Sequence, residues 1–291
     1  MLKEYIRDRV ALVERALDEL LPAGGRPPVI YEAMRYSLFA GGKRLRPVLL
    51  MAAADAAGSD GRRFLSVACG LEMIHTYSLI HDDLPAMDDD DYRRGKPTNH
   101  KVYGEGMAIL AGDGLLTAAF EVILSQSGVA PAVLLAVARE VAAAAGAGGM
   151  VGGQAVDLVF AGRAIDGDTL KFMHQAKTGA LFRASVRAGA ILAGATAAQL
   201  DALTAYAEYF GLAFQITDDI LDVAGDAAAL GKPVGSDAKN DKSTYVSLYS
   251  LDGARRLAGE AAAAALGALA ALGPEAGTLR ELVDYLVNRD R

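Results

Sequence analysis

Apolar residues recur at helical spacing along most of the chain. The first series consists of Ile6, Val10, Val13, Leu17 and Leu20. Residues three or four positions apart share one face of a helix, so this series predicts an amphipathic helix that Pro22 ends. Similar series predict further helices at 28–39, 43–57, 61–81, 106–126, 131–146, 168–193, 197–223 and 254–272, with a last one near 276–288.

Signals for β-structure are missing from the sequence. No segment alternates apolar and polar residues with a period of two, and no Asn-Gly or Asp-Gly pair joins two such segments. The helical segments are separated by short breaks rich in glycine or proline, at 41–42, 85–86, 95–97, 146–149 and 231–237. None of these breaks is a long polar linker, so the pattern predicts one all-α domain over residues 1–291.

Composition and charge narrow the class of protein. The chain has 291 residues, of which 52% are hydrophobic and 22% charged, as expected for a globular core. A net charge of −7 argues against a nucleic-acid binder, which needs a basic face. The single cysteine, Cys69, excludes a disulfide framework. The charged first helix does not resemble an export signal, and charges, Gly or Pro interrupt the apolar stretches. We therefore expect a cytoplasmic protein without stable membrane insertion.

An unusual density of acidic residues stands in the segment HDDLPAMDDDDYRRGKP, residues 81–97. Six aspartates fall within ten positions, namely Asp82, Asp83, Asp88, Asp89, Asp90 and Asp91. Carboxylates so close together repel one another, which opposes folding unless cations lie between them. On this segment alone a solvated acidic loop explains the pattern as well as a binding site does.

A second acidic group, FQITDDILD, decides between these readings because it lies inside an apolar helix. Its polar residues are spaced i, i+3, i+4 and i+7, which places them on one stripe: Gln215, Asp218, Asp219 and Asp222. Buried carboxylates need a partner, which is either a metal ion or an ion-pair network with lysines. Two aspartate sets on facing helices predict an oxygen-only site suited to Mg²⁺.

Cationic residues occur in four groups beside glycine or proline. They are Lys43, Arg44 and Arg46; Arg93, Arg94 and Lys96; Lys177 with Thr178; and Lys232, Lys239 and Lys242. Arginine offers paired donors to phosphate and lysine a point charge. Metal ions held by the aspartates would bind one diphosphate, and the lysine and arginine side chains would bind another without metal. The pattern therefore predicts a cavity that binds two diphosphates.

Six ordered motifs give the chain a resemblance to a known family over nearly its whole length. DDLPAMD and DDILD resemble the first and second aspartate-rich motifs of the trans-polyprenyl diphosphate synthases. GGKRLRP, GMVGGQAVDL, KTGALF and GKPVGSD followed by KSTY occur in the order of that family. The chain is most similar to bacterial farnesyl diphosphate synthases. The resemblance implies a helical bundle of the isoprenoid synthase type with a central apolar cavity, assembled as a homodimer.

The resemblance also implies roles for individual residues. It assigns three Mg²⁺ ions, with Mn²⁺ as an alternative, to Asp82, Asp88, Asp218 and Asp222, and gives Asp83 and Asp219 supporting catalytic roles. The allylic diphosphate is expected to contact Arg93, Lys177, Thr178, Gln215 and Lys232. Isopentenyl diphosphate is expected to contact Lys43, Arg46, His75 and Arg94. Gln154 and Asp157 are expected to support the site. Local support of the site is expected from Arg44, Lys96 and Asp89–Asp91. Lys239 is expected to be exposed to solvent. The C-terminal Arg289 or Arg291 is expected to help cover the site.

Chain length of the product is expected to depend on Tyr77. It lies five residues before Asp82, about 7.5 Å along a helix that rises 1.5 Å per residue. An aromatic ring there predicts farnesyl diphosphate, with geranylgeranyl diphosphate as the alternative product. A class I terpene cyclase would need one diphosphate site and a different second metal motif. A non-catalytic synthase subunit would be expected to lack some aspartates or cations, and both sets are complete here.

Overall fold

The computed structural model describes residues 1–224 and 242–288. Its helices in chain order are α1 Leu2–Leu20, α2 Pro28–Leu38, α3 Leu45–Ala56, α4 Leu65–Asp82, α5 Asn99–Tyr103, α6 Glu105–Leu124, α7 Pro131–Ala145, α8 Met150–Phe160, α9 Gly167–His174, α10 Ala180–Leu192, α11 Ala197–Ala224, α12 Tyr245–Ala268 and α13 Gly277–Val287. A π-helical turn, Gln175–Gly179, joins α9 to α10, and short 3-10 turns span Gly61–Phe64 and Pro274–Ala276. The predicted all-α class is confirmed.

The expectation of no β-structure was wrong at one place. Two strands of two residues, β1 Tyr92–Arg93 and β2 Lys96–Pro97, pair antiparallel. The turn between them consists of Arg94 and Gly95, whose φ angles are 54° and 74°. Two positive φ angles are what a tight hairpin turn requires, and Asn-Gly is its usual sequence. Strands this short leave no alternating pattern, and the Arg-Gly turn lacks the usual sequence signal.

Two predicted helix boundaries also need correction. The segment predicted as one helix at 168–193 contains α9, the π-helical turn and α10. The helix predicted at 254–272 begins earlier, at Tyr245, and is kinked at Ser250, where φ is 65°. The kink shifts the apolar face of one part relative to that of the other. A single helical period therefore does not run through both parts, and the sequence does not predict them as one helix.

Helix α4 lies in the interior of the bundle. Most of its side chains are buried, including Leu71, Met73 and Ile74, and it packs between α3 and α6. A helix that is apolar on all sides is stable only when neighbours surround it. Helix α10 packs against α3, α7 and α11, and α11 in turn packs along α12. The π-helical turn that precedes α10 contacts both the end of α4, at Asp82, and α11, at Gln215.

Two stretches are long and apolar enough to cross a membrane when only length and composition are considered, Glu105–Leu124 and Pro131–Phe160. In the structure the second stretch is two helices, α7 and α8, of 15 and 11 residues. Each is shorter than the roughly 20 residues that a span needs. Core helices of soluble proteins pass the same test, so the observation is weak evidence for membrane insertion.

Candidate active site

The two aspartates at the end of α4 have different partners. Asp82 is the last residue of α4, and its Oδ1 accepts a hydrogen bond from Gln154 Nε2 of α8. Asp83 follows as the C-cap and is buried, with its Oδ1 2.6 Å from Arg93 Nε. Burial raises the pKa of Asp83 to about 6, although the Arg93 guanidinium opposes that shift. Asp83 therefore holds the β-hairpin, while Asp82 faces α8.

Two lysines alternate with three carboxylates at this end of α4. Lys177 Nζ lies 2.6 Å from Asp157 Oδ2 and 3.7 Å from Asp82 Oδ1. Lys242 Nζ lies 2.9 Å from Asp88 Oδ2 and 3.9 Å from Asp157 Oδ2. We call these five residues the lysine–aspartate network. It joins the end of α4, the loop after it, α8, the π-helical turn and the residue two positions before the N-cap of α12.

The pKa values in the network reflect partial burial. Burial raises the pKa of Asp82, and the nearby Lys177 charge offsets part of that rise. For Asp157 burial also acts to raise the pKa, but Lys177 and Lys242 lower it overall. Burial alone would lower the pKa of Lys242, yet Asp88 and Asp157 raise it overall. The network thus consists of charged groups that stabilise one another in a partly dehydrated place.

The π-helical turn positions two polar side chains from adjacent residues. Lys177 reaches the network, and Thr178 Oγ1 donates to Gln215 Oε1 of α11 at 3.1 Å. Single π turns are frequent at functional sites because they change the direction of successive side chains. Helix α8 approaches here so closely that a Cβ on Gly153 would lie 2.2 Å from the backbone nitrogen of Lys177. The turn is therefore held between α8 and α11.

The second aspartate motif divides into two parts. Asp219 is 2% exposed and accepts hydrogen bonds from Gln215 Nε2 at 3.0 Å and from the backbone N–H of Tyr245 at 2.8 Å. It thereby fixes the start of α12 against α11, and its expected supporting role in catalysis stays a prediction. Asp222 is also 2% exposed, whereas Asp218 is half-buried and its charge acts on Arg46. Whether Asp218 and Asp222 bind metal stays a prediction.

A pocket of about 570 Å³ contains the cations expected for the second diphosphate. Lys43, Arg46, His75 and Arg94 all line it, together with Phe182 and Phe214. The Arg46 Cζ lies 4.7 Å from the centre of the Phe182 ring, and its buried Nε has no hydrogen-bond partner among the described residues. A buried donor without an acceptor is costly, and an anion would supply one. We call this space the anion pocket.

Burial lowers the pKa of three groups in the anion pocket. The pKa of Arg46 falls to about 10, chiefly through burial, with Arg94 as a further cause. The pKa of Arg94 is also lowered, first by burial and then by neighbouring arginines. For His75, burial followed by the charges of Arg46 and Arg94 lowers the pKa well below its usual value, so the imidazole is neutral. Binding of an anion would relieve this repulsion between cations.

Arg44 also lines the anion pocket, but its side chain is paired within the fold. Its side chain is fully buried, with Nη1 2.9 Å from Glu72 Oε1 and Nε 2.6 Å from Glu14 Oε1. It also donates to the backbone oxygen of Leu38 at 2.6 Å. A φ of 46° at Arg44 turns the chain so that its side chain points inward. Arg44 thus connects α1, α2 and α4.

A second space, the apolar cavity, adjoins the anion pocket. It has a volume of about 390 Å³ and shares Arg46 and His75 with that pocket. Tyr77, 6% exposed, lines it, as do residues of α4, α8 and the π-helical turn: Ser78, Leu79, His81, Asp82, Met150, Val151, Gln154, Ala155, Leu158, Lys177 and Thr178, with Met87. The lysine–aspartate network therefore borders the apolar cavity, and the anion pocket opens beside it.

Several predicted residues do not join this assembly. Lys232, Lys239, Arg289 and Arg291 lie outside the described residues. Lys96 is exposed on β2. The ligand atoms of Asp89, Asp91 and His100 lie within 4.8 Å of one another, but Asp91 is already paired with Lys101 Nζ at 2.6 Å. Lys242 is predicted from the sequence only as a member of a cationic group. Its contact with Asp88, 154 positions earlier, could not be inferred from the sequence.

The donor set around Asp82 and Asp88 fits a hard divalent cation. Each of these carboxylates already has a cationic partner, Lys177 or Lys242, which shows that both positions accept positive charge. Their ligand atoms are oxygens, which suit Mg²⁺ and similar ions. Gln154 Nε2 donates a hydrogen bond to Asp82 Oδ1, the oxygen that also faces Lys177. The acidic residues of the site can therefore hold a divalent metal ion.

Comparisons with known proteins agree with this geometry. A family model described as polyprenyl synthetase matches residues 27–270. A farnesyl diphosphate synthase of Geobacillus stearothermophilus is 51% identical over 87% of this chain and 86% of its own. A geranylgeranyl diphosphate synthase of Cyanophora paradoxa is 46% identical over 98% and 96%. The crystal structure of geranylgeranyl pyrophosphate synthetase from Pyrococcus horikoshii superimposes with a TM-score of 0.92, at 33% identity over 99% and 98% of the two chains.

Proposed function

The chain belongs to the polyprenyl synthetase family, and on that premise we propose that it is a prenyltransferase that makes farnesyl diphosphate. It would condense isopentenyl diphosphate with dimethylallyl or geranyl diphosphate. The observation that supports this most directly is the meeting of two spaces at Arg46 and His75: a cationic anion pocket and an apolar cavity bordered by acidic residues. Two anions and one growing hydrocarbon chain need this combination.

We propose the following division of the site. Asp82, Asp88, Asp218 and Asp222 hold three Mg²⁺ ions, with Asp83 and Asp219 supporting them. The diphosphate of the allylic substrate contacts Arg93, Lys177, Thr178, Gln215, Lys232 and Lys242. The diphosphate of isopentenyl diphosphate contacts Lys43, Arg46, His75 and Arg94, in the pocket where the buried Nε of Arg46 has no acceptor among the described residues.

The reaction that this division allows is ionisation, condensation and elimination. The allylic C–O bond breaks, and its electron pair leaves with the diphosphate. The double bond of isopentenyl diphosphate attacks the allylic carbon to form the new C–C bond, and a proton then passes to the released diphosphate. When bound, the metal ions act as Lewis acids that stabilise the charge of the leaving diphosphate. Lys177 and Lys242 add fixed positive charge to the same oxygens.

The apolar cavity would serve the cation that forms after ionisation. The apolar part of its lining, which includes Leu79 of α4 and Met150 and Leu158 of α8, keeps water away from the reactive carbon. The ring of Tyr77 closes it on the α4 side, which favours farnesyl diphosphate as the product. Geranylgeranyl diphosphate is the second candidate because relatives with that name match the chain almost as well.

We further propose that the enzyme is one domain over residues 1–291 and works as a cytoplasmic homodimer. In support, neighbouring helices from α1 to α13 pack directly on one another. Helix α6 exposes apolar residues that a second copy would cover, including Ile109, Leu110 and Leu124.

A product assay tests the proposal. Purified protein, Mg²⁺ and labelled isopentenyl diphosphate are incubated with dimethylallyl or geranyl diphosphate, and the hydrolysed alcohols are separated by chain length. We expect farnesol as the main product and its loss with EDTA. The Tyr77→Ala variant should produce longer chains. Failure to incorporate isopentenyl diphosphate would refute the prenyltransferase, whereas geranylgeraniol from the unmodified protein would correct only the product.

A further inference from the structure

His81 lies at the contact between α4 and α6, and no role in binding or ionisation has been assigned to it. Its Nε2 lies 3.0 Å from the backbone oxygen of Ile109 in α6. A carbonyl oxygen can only accept a hydrogen bond, so Nε2 must carry the proton and donate it. The imidazole is therefore attached to a helix outside the apolar cavity while one side of it lines that cavity.

The ring of His81 packs against the ring of Tyr77, one helical turn earlier. Their centres are 5.7 Å apart and their planes meet at 82°, an edge-to-face arrangement. Such pairs are favourable and directional, so each ring restricts the orientation of the other. Because His81 is bonded to α6, the restriction acts mainly on Tyr77, whose ring lines the same cavity.

Gly112 of α6 makes room for this histidine. A Cβ at position 112 would lie 2.1 Å from His81 Nε2 and 2.4 Å from Cδ2, distances that no side chain can accept. Glycine in the middle of a helix is unfavourable, and here the close approach of the imidazole explains it. Tyr77, His81 and Gly112 thus form one contiguous contact from the apolar cavity to α6.

We propose that His81 is a positioning residue for product length: it holds the Tyr77 ring across the apolar cavity through its hydrogen bond to α6. The inference rests on the proposed prenyltransferase activity. A Tyr77 ring that is free to turn would open the end of the cavity to a longer chain. Residue 112 then influences the product without touching it.

The first test compares product distributions. We expect His81→Ala to raise the ratio of geranylgeranyl to farnesyl product about tenfold, comparable with the effect of small changes in an apolar specificity pocket. Gly112→Ala should change the ratio in the same direction, since it displaces the imidazole. Gly106→Ala is the matched control, because a Cβ at this exposed position of α6 meets nothing within 4 Å and should leave the ratio unchanged.

A double-mutant cycle separates positioning from a direct effect on the cavity wall. If His81 acts through Tyr77, His81→Ala should add little to the product shift already caused by Tyr77→Ala. Additive shifts would overturn the positioning role, as would an unchanged ratio in a folded, active His81→Ala enzyme. His81→Asn, which keeps a donor but loses the ring, should fall between the two. An unmodified protein that incorporates no isopentenyl diphosphate would instead refute the activity itself.

Discussion

Arg44 and Arg46 lie two positions apart on the same loop–helix junction and have opposite surroundings. Arg44 is fully buried between Glu72 and Glu14, whereas Arg46 faces the anion pocket over the Phe182 ring. Charge and spacing alone predict a cationic group here without separating these roles; the family resemblance separated them by assigning Arg46 to isopentenyl diphosphate and Arg44 to local support. The difference depends on the left-handed turn at Arg44, which reverses the direction of its side chain.

This contrast predicts different consequences for substitution at the two arginines. Arg44→Met would leave Glu72 buried and unpaired, which should lower the free energy of unfolding by about 3–5 kcal/mol in urea denaturation. Arg46→Met should leave stability nearly unchanged and raise KM for isopentenyl diphosphate about tenfold or more. Arg62→Met, which removes an exposed pair with Asp60, is the control and should change neither quantity. Equal stability losses at residues 44 and 46 would contradict the assignment.

His75 predicts a dependence of stability on pH. Its folded pKa lies well below the ordinary value, so between that lowered pKa and about 6.5 the unfolded chain binds a proton that the folded protein does not. Stability should therefore fall as the pH decreases below about 6.5, by up to about 1.4 kcal/mol per pH unit from this group. The measurement is urea unfolding at several pH values for the protein and His75→Gln. Parallel curves for the two would show that His75 titrates normally.

At the scale of elements, the π-helical turn is the feature on which both aspartate helices depend. Lys177 contacts Asp82 at the end of α4, and Thr178 contacts Gln215 on α11. The motif KTG was predicted to bind a diphosphate, but helical periodicity continues through it. The π-helical turn contains one residue more than an α-helical turn, which changes the directions of its side chains while the apolar pattern continues. The sequence alone therefore predicts one continuous helix.

Gly153 provides a test of that element. Gly153→Ala would place a Cβ 2.2 Å from the Lys177 nitrogen and displace the turn. We expect turnover to drop about 100-fold, as for other displacements of about 1 Å in active sites, with the helical circular dichroism retained. Gly259→Ala on α12 is the control, because a Cβ there meets nothing within 4 Å, and it should be neutral or stabilising. Full activity in Gly153→Ala would mean that the turn adjusts freely.

Prediction from sequence succeeded where long apolar series define a buried helix, as in α4 and α11. It failed where local geometry decides: the two-residue strands beside Arg94, the kink at Ser250 and the π-helical turn. The candidate site shows the same limit. Aspartates and cations were recognised by type and spacing, whereas the pairing of Lys242 with Asp88 depends on contacts between distant segments.

At the scale of the whole molecule, α6 connects the interior to an exposed apolar surface. Its inner side packs on α4, while Leu110 is 55% exposed beside a groove of about 870 Å³ that α2 and α6 line. If this groove is the dimer contact, Leu110→Glu should convert the protein to monomers of about 30 kDa in analytical ultracentrifugation. Phe172→Glu, at an exposed apolar residue of α9, is the control and should leave the dimer intact. A monomeric unmodified protein would refute the proposal.

The lysine–aspartate network has a consequence for the order of ligand binding. Lys177 and Lys242 are the partners of Asp82, Asp157 and Asp88, so a metal ion alone must compete with ammonium groups for its carboxylates. A diphosphate alone must likewise draw those lysines away from the aspartates. With both ligands present, Asp82 and Asp88 would be free to hold the metal ion, and Lys177 and Lys242 would be free to pair with the diphosphate.

The two ligands should therefore bind with positive cooperativity, each raising the affinity of the other by the same factor. Calorimetric titration with Mg²⁺, with and without inorganic pyrophosphate, measures that factor, which we expect to be about tenfold or more. Lys242→Met removes one competitor and should strengthen binding of Mg²⁺ alone while reducing the coupling. Equal Mg²⁺ affinities with and without pyrophosphate would contradict this mutual dependence. A site whose aspartates are paired with its own lysines would then discriminate between a complete and an incomplete set of ligands.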